Sequence, residues 1–252
     1  VEDEIRMTVD RDRLMVHKNR PPTGKTHSTF KKILSSFFPR CQGLKNRHFH
    51  AIFPAILNRM EKTLRLFIAV PLPDSVKAQI CAGPLSSAAL NRPGIRPVPA
   101  NNLHLTLRFL GDTAESKLPA IREALETAAA GLRPFRAEIQ GCGVFPNPAA
   151  ARVFWLGFDP RGAARLRDVA ESVAGQLARA GVDGDRKPFR PHLTLARVNP
   201  GTLSERETAA IVTTLREICF DPVPVREICC FSSDLSGRLP VYKKRLSAAF
   251  NR

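Results

Sequence analysis

His104-Leu105-Thr106-Leu107 and His192-Leu193-Thr194-Leu195 are one tetrapeptide written twice, 88 residues apart. Each copy reads as a short β-strand. In Leu103-His104-Leu105-Thr106-Leu107-Arg108-Phe109, alternation across a strand puts Leu103, Leu105, Leu107 and Phe109 on one face, and His104, Thr106 and Arg108 on the other. In the second copy Leu193 and Leu195 oppose His192 and Thr194. Each strand thus offers an apolar back to a core and a polar front with one imidazole and one hydroxyl. Imidazoles give and take protons near neutral pH. A Thr hydroxyl pointing the same way can hydrogen-bond a phosphate oxygen. Two such fronts would supply a base, an acid and two hydroxyl clamps around one phosphate, with no metal.

A single His-x-Thr on a strand is usually a structural or surface feature. Two matched copies reverse that balance. Of the six histidines, His17, His27, His48 and His50 lie within the first fifty residues, and beyond them only His104 and His192 remain.

With both motifs in view, the chain resembles the two-histidine phosphoesterase superfamily, and within it the RNA 2′,3′-cyclic phosphodiesterases, or 2′-5′ RNA ligase-like proteins. The matching stretches are Arg65-Leu66-Phe67-Ile68-Ala69-Val70-Pro71-Leu72-Pro73, Asn102 to Gly111 around the first motif, and Phe189-Arg190-Pro191-His192-Leu193-Thr194-Leu195-Ala196-Arg197. The resemblance covers residues 61–250. It implies an α+β fold of two similar lobes, each an antiparallel sheet with helices packed outside, around a central groove. It also implies metal-independent hydrolysis of a 2′,3′-cyclic phosphate to a 2′-phosphate, with no cofactor. His104 is assigned as general acid and His192 as general base, and the reverse assignment stays open. Thr106 and Thr194 would hold the non-bridging oxygens, and Arg197 would balance growing charge. Arg190 would touch backbone phosphate. Phe145 precedes a loop that the resemblance places at the mouth of the groove, where an aromatic side chain can stack on a base.

Charge and composition agree with such a partner. The formal charge is +16, with 39 Lys+Arg against 23 Asp+Glu. Residues 1–59 hold 12 Lys+Arg against 5 Asp+Glu, and the remainder holds 27 against 18, so the domain itself is basic. Cys41, Cys81, Cys142, Cys219, Cys229 and Cys230 form no C-x-x-C pair, and free thiols in the cytoplasm are the simplest account. No apolar run approaches the length of a membrane span. A monomer is expected.

Residues 1–59 form a basic leader without sustained periodicity, expected to be disordered or to lie upstream of a true start at Met60. The domain is expected over 60–252. Leu64 to Val70 reads as a buried strand, and Asp74-Ser75 as the cap of a helix from Val76 that Gly83-Pro84 interrupts. Gly111-Asp112 reads as a turn, Glu115 to Ala130 as a helix, Phe135 to Phe145 as one long strand, and Arg152 to Phe158 as the next. Gly162 to Ala180 is a helix ended by Gly181, and Ser204-Glu205-Arg206-Glu207 opens another through a capping box. Pro224 to Leu235 and Val241 to Phe250, which carries Tyr242, read as closing strands.

Two further enzymatic readings are the same site run backwards as a 2′-5′ RNA ligase on tRNA-like halves, and hydrolysis of a small cyclic phosphate such as an ADP-ribose derivative. A non-catalytic nucleotide-binding module is the reading from another class. Both His and both Thr are present, which argues against it. A metal protein fits poorly, because two distant His without a nearby carboxylate or Cys make a weak ligand set.

Overall fold

The computed structural model describes residues 6–10, 13–17, 62–185, 187–216, 218–237 and 239–251. Near the start, β1 (Arg6–Asp10) and β2 (Arg13–His17) form an antiparallel pair. The other expectations for the leader, including a start at Met60, fall on residues 18–61, outside the described set. From Glu61 the chain forms a compact unit of its own.

The apolar run before Pro71 is β3 (Thr63–Pro71), buried from Leu66 to Val70. It sits inside a four-stranded antiparallel sheet with β5 (His104–Ala114) on one side and β11 (Glu227–Asp234), then β12 (Val241–Ala249), on the other. The second sheet is also four-stranded and antiparallel. Its order is β4 (Ile95–Pro97), β9 (Leu193–Val198), β8 (Val153–Phe158), β7 (Ile139–Phe145). A short third pair joins β6 (Phe135–Ala137) to β10 (Val223–Val225). β5 and β9, which carry the two motifs, are in contact.

Helices cover the sheets. α1 (Asp74–Ala82) follows β3, and its Gln79 exchanges two hydrogen bonds with Asp221. α2 (Leu118–Ala130) lies against β11 and β12 through Ile121, Leu125 and Ala128. α3 (Pro160–Arg179) packs on α2 and buries Leu166, Val169, Val173 and Leu177. The Asp159 carboxylate caps α3 by accepting from the amides of Arg161 and Gly162, each at 3.0 Å. Gly181 ends it at φ 65°. α4 (Glu205–Arg216) lies against β7. Its capping box forms as the sequence indicates, with Ser204 N donating to Glu207 at 2.9 Å and Glu207 N donating to Ser204 Oγ at 3.2 Å.

Four local expectations are corrected. Asp74 does not cap α1; it is the first helical residue and pairs with Lys77 at 3.0 Å. Gly111-Asp112 is not a turn, because β5 runs on to Ala114 with Gly111 at φ 68°. Phe135 to Phe145 is two strands, since the chain changes sheets at Glu138, whose amide donates to Asp159 at 3.1 Å. Pro224 to Leu235 likewise divides, at Arg226.

A further correction bears on the site. β5 pairs with β3 through Thr106↔Ala69, then Arg108↔Ile68 and Phe109↔Phe67, then Gly111↔Leu66. Leu107 and Leu110 are therefore extra residues, each forming a β-bulge, and each reverses the alternation that follows it. Phe109 turns to the front, where it is 49% exposed, and Arg108 shares the face of buried Ile68. In β9 the pairs Trp155↔Thr194 and Phe154↔Ala196 leave Leu195 as the extra residue. The two motif strands thus carry a bulge at the same place, directly after the Thr.

This register makes a stability prediction. Leu107→Ala, at 5% exposure, should cost about 2–5 kcal/mol. Phe109→Ser should cost no more than about 1 kcal/mol, as for an exposed side chain. Urea unfolding of both variants measures the difference; a cost at Phe109 as large as that at Leu107 would mean β5 runs without these bulges.

Candidate active site

His104 opens β5 with its ring half-buried. Its Nδ1 lies 2.6 Å from the carbonyl oxygen of Asn102. A carbonyl only accepts, so the Nδ1 proton sits in that bond and Nε2 is left for chemistry. Nε2 lies 2.8 Å from the Thr106 hydroxyl. His192, just before β9, repeats the arrangement: its Nδ1 lies 2.6 Å from the carbonyl of Arg190. Each motif therefore fixes the tautomer of its own histidine through the carbonyl two residues upstream.

Asn102 does more than lend a carbonyl. Its side chain, 9% exposed, donates to the carbonyl of Pro240 at 2.7 Å. That bond ties the turn between β11 and β12 to the first motif. Tyr242, two residues after Pro240, meets the His104 ring edge-on at 5.3 Å. Phe67 lies 4.8 Å from the same ring, and Phe231 stacks on Phe67 at 5.4 Å. Beside His104 these aromatic rings, with Lys77 and Lys244, border a cavity of about 290 Å³.

The second half is built differently. Phe145 meets the His192 ring edge-on at 5.1 Å and stacks on Trp155 at 5.2 Å. Trp155 pairs with Thr194 and with Gly143. A Cβ on Gly143 would fall 2.5 Å from the indole, so only glycine leaves room for that ring. Arg197 pairs with Val153, which pairs with Phe145. Cross-strand partners share a face, so the bulge at Leu195 brings Arg197 to the front with Thr194. Unbroken alternation from His192 would have put Arg197 on the back.

The charges converge. His104 is held below the ordinary imidazole pKa chiefly by burial, with the charges of His192 and Arg197 adding to the effect and the bond to Asn102 opposing it. His192 is lowered by burial and by Arg197, against its bond to Arg190. Tyr242 is raised by burial while Arg197 pulls it down. One guanidinium therefore acts on all three rings. His104 feels the charges of His192 and Arg197, and His192 that of Arg197; Thr106 bonds to His104, and Thr194, Arg197 and Phe145 share the face of the second sheet where Phe145 meets His192. Arg190 contributes its carbonyl, and its side chain is exposed. Phe67, Asn102 and Tyr242 complete the site beyond the residues singled out from sequence, and Trp155, the only Trp and with Phe145 a candidate for stacking on a base, lies beside Phe145. Phe67 hides in an apolar run that reads as plain core. For Asn102 the available signal was its place two residues before the histidine. Among the described residues, no three His, Cys, Asp or Glu side chains are placed to hold a metal ion.

Known proteins share this architecture. The chain is 36% identical over 183 residues to the RNA 2′,3′-cyclic phosphodiesterase of Archaeoglobus fulgidus, covering 71% of this chain and 97% of that protein. It is 31% identical to the enzyme of the same name from Methanothermobacter thermautotrophicus, over 71% of this chain and 95% of that one. Among solved structures it resembles TT0787 of Thermus thermophilus, with a TM-score of 0.58 and 30% identity over 74% of this chain and 98% of that one. It also resembles E. coli LigT complexed with 3′-AMP, with a TM-score of 0.57 and 27% identity over 76% of this chain and 100% of that one. The model of the 2′-5′ RNA ligase superfamily matches residues 73–235, more than half of the sequence, and the chain belongs to that superfamily.

Proposed function

We propose that this chain is an RNA 2′,3′-cyclic phosphodiesterase that opens a cyclic phosphate at an RNA 3′ end and leaves a 2′-phosphate. The observation that carries the reading is the pair of imidazoles, each anchored by Nδ1 to a carbonyl and both under the charge of Arg197. Relatives 27–39% identical bear the name of that activity, and LigT has been crystallised with 3′-AMP and with phosphate.

In the proposed reaction His192 takes a proton from water through Nε2. The water oxygen bonds to phosphorus as the bond to O3′ breaks. His104, protonated on Nε2, passes that proton to O3′. One proton moves from water to the sugar, and the two rings exchange protonation states. Thr106 and Thr194 hold the non-bridging oxygens, and Arg197 faces the charge that grows on them. Phe145 and Trp155 form one wall for a base, and Phe231 and Tyr242, backed by buried Phe67, another. The enzyme would work as a monomer in the cytoplasm. The cysteines among the described residues, from Cys81 to Cys230, are free thiols, which suits a reducing compartment. No helix among the described residues is long and apolar enough to cross a membrane. The superfamily's description favours one second reading, ligation of a cyclic end to a 5′-hydroxyl. Supplying such a partner and searching the product for a 2′-5′ bond separates the two.

His104→Ala and His192→Ala should each lower turnover of a 2′,3′-cyclic nucleotide by about 10²–10⁴-fold, and the double variant by far less than the product of the two. Circular dichroism should show both variants folded. Turnover should persist in EDTA; survival of activity in both alanine variants would remove the assignment of these histidines, and no turnover by the unaltered protein would favour a binding module.

The pH profile gives an independent check. Productive binding needs one ring charged and one neutral, and both rings sit below the ordinary 6.5 in the free protein. The kcat/KM optimum should therefore lie on the acid side of 6.5. Arg197→Gln removes a charge that lowers both rings, so its optimum should move to higher pH. An unmoved optimum would mean that Arg197 does not face the two imidazoles.

A further inference from the structure

A 2′,3′-cyclic phosphate is by its chemistry the 3′ terminus of an RNA, so the rest of the strand must leave the groove on one side. Two depressions that share Lys244 mark one way out. The cavity beside His104 ends at Lys244. Lys244 also borders a second depression of about 470 Å³, between α2 and the edge strand β12, formed with Arg122, Lys243, Arg245, Leu118 and Leu246. Four cations face this depression and no carboxylate lines it. Arg245 is tied to Glu115 at 2.8 Å, and Glu115 also takes Lys62 at 3.0 Å. Lys244 has a loose contact with Glu227 at 3.8 Å. Arg122 and Lys243 are exposed and have no ion-pair partner among the described residues. The bulge between Cys230 and Phe231 makes the row: it sets Lys244 opposite Phe231 and leaves Arg245 as the extra residue.

We propose that the depression between α2 and β12 is an RNA-binding surface, which holds the sugar–phosphate backbone upstream of the reacting 3′ end. The proposal rests on the phosphodiesterase reading for its ligand. Bases nearest the cyclic end stack on Phe231 and Tyr242, and Lys244 marks the crossing from the groove to the outer face. Beyond it, Lys243, Arg245 and Arg122 meet successive phosphates, the arrangement by which proteins hold single strands without reading their sequence. The consequence is a preference for oligonucleotides over mononucleotides that comes from binding and is sensitive to salt.

The test uses the double variant Arg122→Glu/Lys243→Glu, with Arg122→Gln/Lys243→Gln as a milder partner in case the first folds poorly. Neither position touches the catalytic groove. Two substrates are compared: a 2′,3′-cyclic mononucleotide, and a single-stranded RNA of about ten nucleotides ending in the same cyclic phosphate. The expected result is unchanged kcat/KM on the mononucleotide, with a fall of about tenfold or more on the oligonucleotide. Binding of the same RNA with an uncleavable 3′-phosphate, followed by fluorescence anisotropy, should weaken to match. Its dependence of log affinity on log salt should become shallower by about 1.4, the loss of two single-strand phosphate contacts. Equal losses on both substrates, or no loss on either with unaltered anisotropy, would overturn the proposal. The second outcome would leave these cations only as guards of an open sheet edge. If the unaltered protein hydrolyses neither substrate, the phosphodiesterase reading fails by itself, and the anisotropy comparison still decides whether this surface holds RNA.

Discussion

A carbonyl oxygen 2.6 Å from Nδ1 is the constraint on which the site depends, and it is made twice. It decides which nitrogen of each imidazole carries the resting proton and stops the ring from turning over. It also costs nothing in extra residues, since the acceptor belongs to the same short stretch as the histidine. The first of these carbonyls belongs to Asn102, whose side chain reaches Pro240. Through that residue the far hairpin is fastened to the ring it helps enclose, and Tyr242 is held in place against His104.

Burial and charge push the rings the same way. Desolvation is the largest cause of the lowered pKa at both histidines, and Arg197 adds to it. Both causes favour the neutral imidazole over the charged one. In the proposed reaction an incoming phosphate would bring the opposite charge, restoring the cationic form where an acid is needed and giving Arg197 a partner. On that proposal the same guanidinium, which discourages protonation of both rings, would support the anion once bound.

Much of this is legible in the residues. The repeated tetrapeptide points to two matched strands because apolar residues at every second position demand a core on one side. The capping box at Ser204 and the helix end at Gly181 can be read because each rests on local chemistry. What cannot be read is register. Leu107, Leu110 and Leu195 look like ordinary members of an alternating strand, yet each is an extra residue opposite a shorter partner. A bulge is decided by the neighbouring strand, which alternation within one strand cannot see. For that reason alternation puts Phe109 and Arg108 on the wrong faces, and the front-facing position of Arg197 follows only from its likeness to relatives. Tyr242 and Phe67 are hidden for a related cause, since only the pairing of distant strands brings them to His104.

The bond between Thr106 and Nε2 of His104 has a consequence for how a ligand is admitted. At rest the hydroxyl occupies the place that the proposed reaction gives to the sugar oxygen. In the proposed reaction, arrival of substrate would be an exchange of partners: the hydroxyl would let go of nitrogen and turn to phosphate oxygen, and nitrogen would turn to the sugar oxygen. The number of hydrogen bonds barely changes across that swap, so selectivity for the incoming molecule has to come from its negative charge and its flat rings.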